Sequence, residues 1–129
     1  MEKSDKLLKY WLPVIFWAGV IFYLSSLPGL SSGLAVFWDV LWRKFAHAGE
    51  FTIFNWLLWR ALRAHDLKFG QALILSLAAT VLYAVSDEVH QYFVPDRQCR
   101  LLDVGIDSLG AIFGSATLLL LKIKRQNKN

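Results

Sequence analysis

The stretch YWLPVIFWAGVIFYLSSL, residues 10–27, carries no charged side chain, and the uncharged sequence runs on to Trp38. About 20 apolar residues in a helix cross the hydrocarbon core of a bilayer, so residues 10–27 are expected to form a first transmembrane helix. Pro13 falls in what would be its first turn, where a missing amide costs little. The centre of the stretch is bulky and aromatic, and Ser25-Ser26-Leu27-Pro28 is a poor cleavage site, so it is read as a retained span rather than a cleaved signal. Three further apolar segments follow. Residues 44–62 are interrupted only by His47, Glu50, Asn55 and Arg60; residues 69–86 carry no charge; residues 101–121 contain only Asp103 and Asp107. The expected fold is all-α, one domain over residues 1–129 forming an integral membrane bundle of four transmembrane helices, with polar links at 28–43, 63–68 and 87–100.

Composition agrees. Of 129 residues, 56% are hydrophobic and 19% charged, and mean hydropathy is +0.41. Soluble domains are typically about 45–50% apolar and about 25% charged. With 15% aromatics, disorder is excluded. The single cysteine, Cys99, permits neither an internal disulfide nor a cysteine zinc cluster. A net charge of +4 could point to nucleic acid, but no basic patch with interleaved aromatics lies outside the helix flanks, so no nucleic-acid partner is expected.

The bias of Lys and Arg sets the expected orientation. With both termini cytoplasmic, the inner segments hold Lys3, Lys6, Lys9, Arg60, Arg63, Lys68, Lys122, Lys124, Arg125 and Lys128, ten of the fourteen basic residues. Arg43, Lys44, Arg97 and Arg100 are left outside. Tyr10, Trp11, Trp56 and Trp59 then fall near the inner interface, and Tyr23, Trp38, Trp42 and Tyr92 near the outer one, as aromatic belts do.

This topology collects polar residues from three spans at the outer face. Arg43, His47, Glu50 and Phe54 recur at helical spacing on one face of the second span. The third ends in Asp87, Glu88, His90 and Gln91, with Asp87, His90 and Gln91 on one face and Glu88 about a quarter turn away. Pro95 halts that helix near Phe93, and Arg97 is expected to fold back onto a carboxylate or a phosphate. In the fourth span Asp103, Asp107, Gly110 and Gly114 form one stripe. The Gly-x-x-x-Gly part permits close helix approach, with Arg97, Arg43 or His47 as counter-ions for the acids.

Ionisable groups inside a span cost up to about 2.5–3.5 kcal/mol each at its centre and usually face a bundle interior or a wet cavity. The plainer reading of each is an interfacial ion pair or a solvated loop worth little. His47, Glu50, Asp87, Glu88, His90, Asp103 and Asp107 could bind a divalent metal, but no His-Glu-x-x-His or other specific template is present, so no metal or cofactor is expected. A Ser86–His90 hydrogen bond is sterically allowed, but without a third member it makes no triad. No Gly-rich phosphate loop occurs.

Three blocks carry a family resemblance: Lys44-Phe45-Ala46-His47-Ala48-Gly49-Glu50-Phe51; Ser86-Asp87-Glu88-Val89-His90-Gln91-Tyr92-Phe93-Val94-Pro95-Asp96-Arg97; and Asp103-Val104-x-x-Asp107-x-x-Gly110-x-x-x-Gly114. Together they resemble the VanZ-like family across most of the chain. Two positions depart from it: Asp96 stands where the family often has Gly, and Asp107 where Asn is common. The resemblance implies a small multi-pass protein of the bacterial cytoplasmic membrane. It also implies a link to the cell envelope, the family's namesake being associated with low-level resistance to the glycopeptide teicoplanin. The expected role is binding of, or action on, an envelope lipid or cell-wall precursor in an outward-facing polar pocket. The alternatives are an intramembrane hydrolase or transferase using the His and acid cluster, and a structural membrane partner.

Overall fold

The computed structural model describes residues 3–28, 35–97 and 100–128. Four helices, and no strand among these residues, follow one another along the chain. Helix α1 comprises Lys3–Lys6, a π-helical turn Leu7–Trp11, and Leu12–Ser26. Helix α2 is Val36–Arg63, α3 is Phe69–Tyr92 and α4 is Leu101–Gln126. The helix through Ser4–Ser26, together with α3 and α4, is long and apolar enough to cross a membrane. Helix α2 is longer still, but Asp39, Arg43, Lys44, His47, Glu50, Arg60 and Arg63 make it the polar member of the set.

The helices extend beyond the spans expected from hydropathy. Helix α2 starts at Val36, inside what the sequence suggested was a link. Its extra turns are favoured by Asp39, which sits in the first turn at the positive end of the helix dipole and pairs with Arg43 one turn on at 3.3 Å. Pro13 stands in the first turn of the α-helical segment Leu12–Ser26, as expected, but the π turn and a further helical turn precede it. Its ring cannot donate to the Lys9 carbonyl and would clash with it. The chain widens locally instead, the Leu12 N–H donating to the Leu7 carbonyl across the π turn. The Lys9 carbonyl receives the Arg60 guanidinium at 3.4 Å, which ties α1 to α2.

Successive helices run antiparallel. Trp17 Nε1 donates to the Glu50 carbonyl and Tyr83 Oη to the Ala18 carbonyl, so α1 opposes α2 and parallels α3. Helix α4 parallels α2, as Lys44–Asp103, Thr52–Gly110 and Trp56–Gly114 contacts ascend together. One end of the bundle therefore collects Lys6 with Asp66, Arg60 on the Tyr10 ring and Lys122 on the Phe69 ring.

Helix α2 divides the interior. One face packs an apolar core, with Phe51, Phe54 and Leu58 against Val14, Ile21 and Ala84. Its other face is small and polar and meets α3 and α4. There Asn55, fully buried, donates to Ser115 Oγ at 3.0 Å and accepts from Thr80 Oγ1 at 3.4 Å. Outside, Ile15, Phe16, Ile74, Leu82, Leu109 and Phe113 stand exposed, a surface that lipid satisfies and water does not. Between lipid-facing helices the hydrophobic effect gives little association. Close packing and interhelical hydrogen bonds, worth about 0.6 kcal/mol on average, take its place.

The tightest approach is at Gly110, where a Cβ would collide with the backbone of Ala48; at Gly114 it would press on Asn55 Nδ2 and the Thr52 carbonyl, both at 3.1 Å. Replacing Gly110 by Ala is expected to cost about 1–3 kcal/mol by overpacking, read as a lower melting temperature in detergent. Gly105→Ala, whose Cβ meets nothing within 4 Å, should leave the melt unchanged or raise it slightly.

Candidate functional site

At the end opposite the basic flanks, α2, α3, α4 and the α3–α4 connection enclose a cavity of about 230 Å³. Arg43, Lys44, His47, Glu88, Gln91, Arg97, Asp103 and Asp107 line it, with Asp96, Arg100, Val40 and Ile106. Seven of the ten polar residues singled out in the sequence thus face one space, joined there by Lys44. Of the other three, Asp87 adjoins it through Gln91, and Glu50 and His90 are not among its lining residues.

Helix α4 supplies two acids to the shared face, each met by α2. Asp103 accepts from Lys44 Nζ at 2.8 Å. Asp107 is fully buried and lies 3.5 Å from His47 Nδ1, without hydrogen-bond geometry, and neither of its oxygens accepts a hydrogen bond among the described residues. Glu50, one turn below His47, interacts electrostatically with His47, Asp87 and Asp107. The counter-ions are therefore Lys44 and His47. Arg43 turns back to Asp39, because the i, i+4 partner on its own helix is nearer than the acids of α4.

Helix α3 contributes Asp87, Glu88 and Gln91, all buried. Gln91 Nε2 donates to Asp87 Oδ2 at 2.9 Å and to Ser25 Oγ at 2.7 Å. Glu88, expected a quarter turn from Asp87, His90 and Gln91 but within the same polar cluster, faces inward with Asp87 and Gln91. Positions 87, 88 and 91 span about 100° of the helix, all of it inward, and Glu88 Oε2 accepts the Arg100 backbone N–H at 3.1 Å. His90 is the residue turned away. It stacks on Phe22 at 4.2 Å between centroids and approaches Ser26 Oγ at 3.4 Å, both on α1. Ser86 donates to the Tyr83 carbonyl and not to His90.

Arg97 also departs from expectation. It folds back, but onto carbonyls: Nε donates to Leu27 O at 3.1 Å, Nη2 to Leu24 O at 3.2 Å, and Nη1 to Gln91 Oε1 at 3.4 Å. The end of α1 presents carbonyls at the negative end of its dipole; Leu24 O already accepts the Leu27 N–H at 3.3 Å, and the planar guanidinium adds a donor to it and one to Leu27 O. The turn that brings it there places Asp96 at φ 62°, in the left-handed region that suits Gly better than Asp. Cys99 and residues 29–34 lie outside the described residues.

A match to the VanZ/LLP1 family model covers residues 10–122. The chain belongs to that family. No curated protein and no solved structure is significantly similar to it. Within this VanZ/LLP1 domain the structure adds residues that the sequence reading passed over: Ser25, Thr52, Thr80 and Ser115, with Asn55 noted only as an exception in an apolar span. Each is buried and holds the helices beneath the cavity in register. The available signal was their polarity at interior-facing positions of spans otherwise rich in Leu, Ile and Phe.

Two outcomes follow. Arg97→Lys keeps the charge but cannot hold three acceptors in a plane, so it should lower stability by about 1.5–3 kcal/mol, measured by thermal melting. Asp96→Gly should raise it by about 0.5–1 kcal/mol, the relief of left-handed strain exceeding the added chain entropy.

Proposed function

We propose that this protein sits in a bacterial cytoplasmic membrane with both termini inside and binds the phosphorylated headgroup of an envelope lipid or cell-wall precursor in the outward-facing cavity. The observation that carries this reading is Arg43. The residue lines the cavity, its Nε is buried with no hydrogen-bond partner among the described residues, and Nη2 is held by Asp39. A fixed guanidinium with a free donor is suited to a phosphate oxygen. Lys44 stands beside it and Arg100 at the rim. The orientation is supported by the ten basic residues whose segments converge on the opposite end.

Cavity size bears on the link to glycopeptide resistance. Pockets for drug-sized ligands run to about 300–1,000 Å³, so about 230 Å³ suits a headgroup and not a glycopeptide. Any resistance would act through the lipid or precursor. A second reading, hydrolysis or group transfer on the same ligand, is favoured by one observation: His47 and Asp107 lie side by side with Asp87 close by, a base and acids at the floor of the cavity.

The test uses the purified chain in phosphatidylcholine nanodiscs doped with a long-chain polyprenyl phosphate or the matching polyprenol, with bound lipid counted by native mass spectrometry. The phosphate should be retained and the alcohol lost. Arg43→Gln should weaken retention by about tenfold or more, and Lys6→Gln, at the far end, should not. Equal retention of alcohol and phosphate, or an unchanged Arg43→Gln, would rule the reading out.

A further inference from the structure

Beneath Arg43 the cavity floor has a different character. Each cation of the upper layer is engaged: Lys44 with Asp103, Arg43 with Asp39, Arg97 with the carbonyls of α1. Among the described residues Asp87 and Asp107, below, pair with no Lys or Arg; Asp107 faces only the imidazole of His47, at 3.5 Å. His47, Asp87 and Asp107, from three different helices, each present one donor atom, and these atoms lie within 4.8 Å of one another. Asp107 is the second and independent observation. It is fully buried, and both its oxygens lack a hydrogen-bond donor among the described residues. A buried carboxylate in that state is costly unless a proton or a cation neutralises it.

We infer that the cavity floor is a divalent-cation site whose protein ligands are His47, Asp87 and Asp107. The donor set chooses the ion. Two carboxylate oxygens and one imidazole nitrogen suit Mn²⁺ or Zn²⁺; Ca²⁺ takes six to eight oxygens, and Cu⁺ prefers sulfur. An outer contact of the kind that orients metal ligands is present. Gln91 Nε2 fixes the Asp87 carboxylate from one side. Three protein ligands leave coordination positions for water or for a phosphate oxygen entering from the cavity. The site goes beyond the headgroup reading and does not depend on it, since the ion is measured without lipid.

The full chain in detergent, stripped with EDTA, is titrated with Mn²⁺ and followed by electron paramagnetic resonance. The free-ion signal should fall until one ion is bound per chain, and pulsed measurement should show coupling to one imidazole nitrogen. Zn²⁺ should displace the bound ion. His47→Gln should abolish the nitrogen coupling and weaken binding at least tenfold, and Asp107→Asn should weaken it comparably. His65→Gln and His90→Gln should change neither. A free-ion signal undiminished at millimolar Mn²⁺ would overturn the site, as would wild-type binding without nitrogen coupling or coupling that survives His47→Gln. The wild-type measurement decides the matter even if a variant fails to fold. Failure here with polyprenyl phosphate still retained would remove the ion and leave the headgroup reading intact.

Discussion

The contact between the backbones of α2 and α4 at Ala48 and Gly110 governs the rest of the molecule. Two parallel helices rarely come so close, since only Gly leaves room for a facing carbonyl. Once that point is set, the register of everything along the seam is set with it. Thr52 reaches the Gly110 carbonyl, Trp56 the Gly114 carbonyl and Asn55 the Ser115 hydroxyl on one side. On the other side, one and two turns away, His47 meets Asp107 and Lys44 meets Asp103. The cavity is thus the open end of a seam whose closed end is built from hydroxyls, an amide and glycine. Sliding α4 by one turn would separate both charged pairs and unmake the site.

The bundle is arranged inside out relative to a soluble one, and the arrangement explains where charge is tolerated. Large apolar side chains point outward, so the interior between α2, α3 and α4 is free to carry polar groups, each of which needs a partner. The same demand acts on the backbone. Pro13 frees the Lys9 carbonyl and Arg60 takes it; α1 ends and Arg97 takes the carbonyls of Leu24 and Leu27. Two of the arginines are accordingly structural groups that close backbone valences in a helix with few polar side chains of its own. Arg43, paired on one side and open on the other, is of another kind.

The helical class was legible because uncharged runs such as residues 10–27 admit few other structures, and the family because its motif blocks span three helices. The stripe of Asp103, Asp107, Gly110 and Gly114 was legible as one face, since spacing alone determines it. Partners were not. Arg97 points in sequence to a carboxylate or a phosphate because sequence displays charges and hides carbonyls, and the carbonyls it meets are identifiable only once the end of α1 is known. Glu88 belongs to the same cluster in sequence, but its inward aim is not legible there, since a helix packed on two sides buries more than one face. The first-turn place of Pro13 in Leu12–Ser26 is legible, whereas the π turn before it leaves no mark in composition. His47, Asp87 and Asp107 stand among the ionisable residues able to hold a metal, but no two of the trio share a helix, so local motif spacing cannot single them out.

The charge layers of the cavity constrain what can occupy it. A phosphate at Arg43 gains a guanidinium but looks down on Asp107 and Asp87, two carboxylates without a Lys or Arg partner among the described residues. In a cavity walled by apolar helices that repulsion is poorly screened. A phosphate would therefore be confined to the rim if the floor were anionic, and drawn inward if the floor were neutralised. A proton on one acid removes a single charge and offers one hydrogen-bond donor. A divalent ion removes both charges and presents a positive centre to the entering oxygen. Headgroup and cation then support each other: the ion makes the floor hospitable to phosphate, and the phosphate supplies the oxygen ligand that three protein groups leave unfilled. On that account the buried Asp107, costly while it is not neutralised, would be stabilised by the cation that it helps to hold.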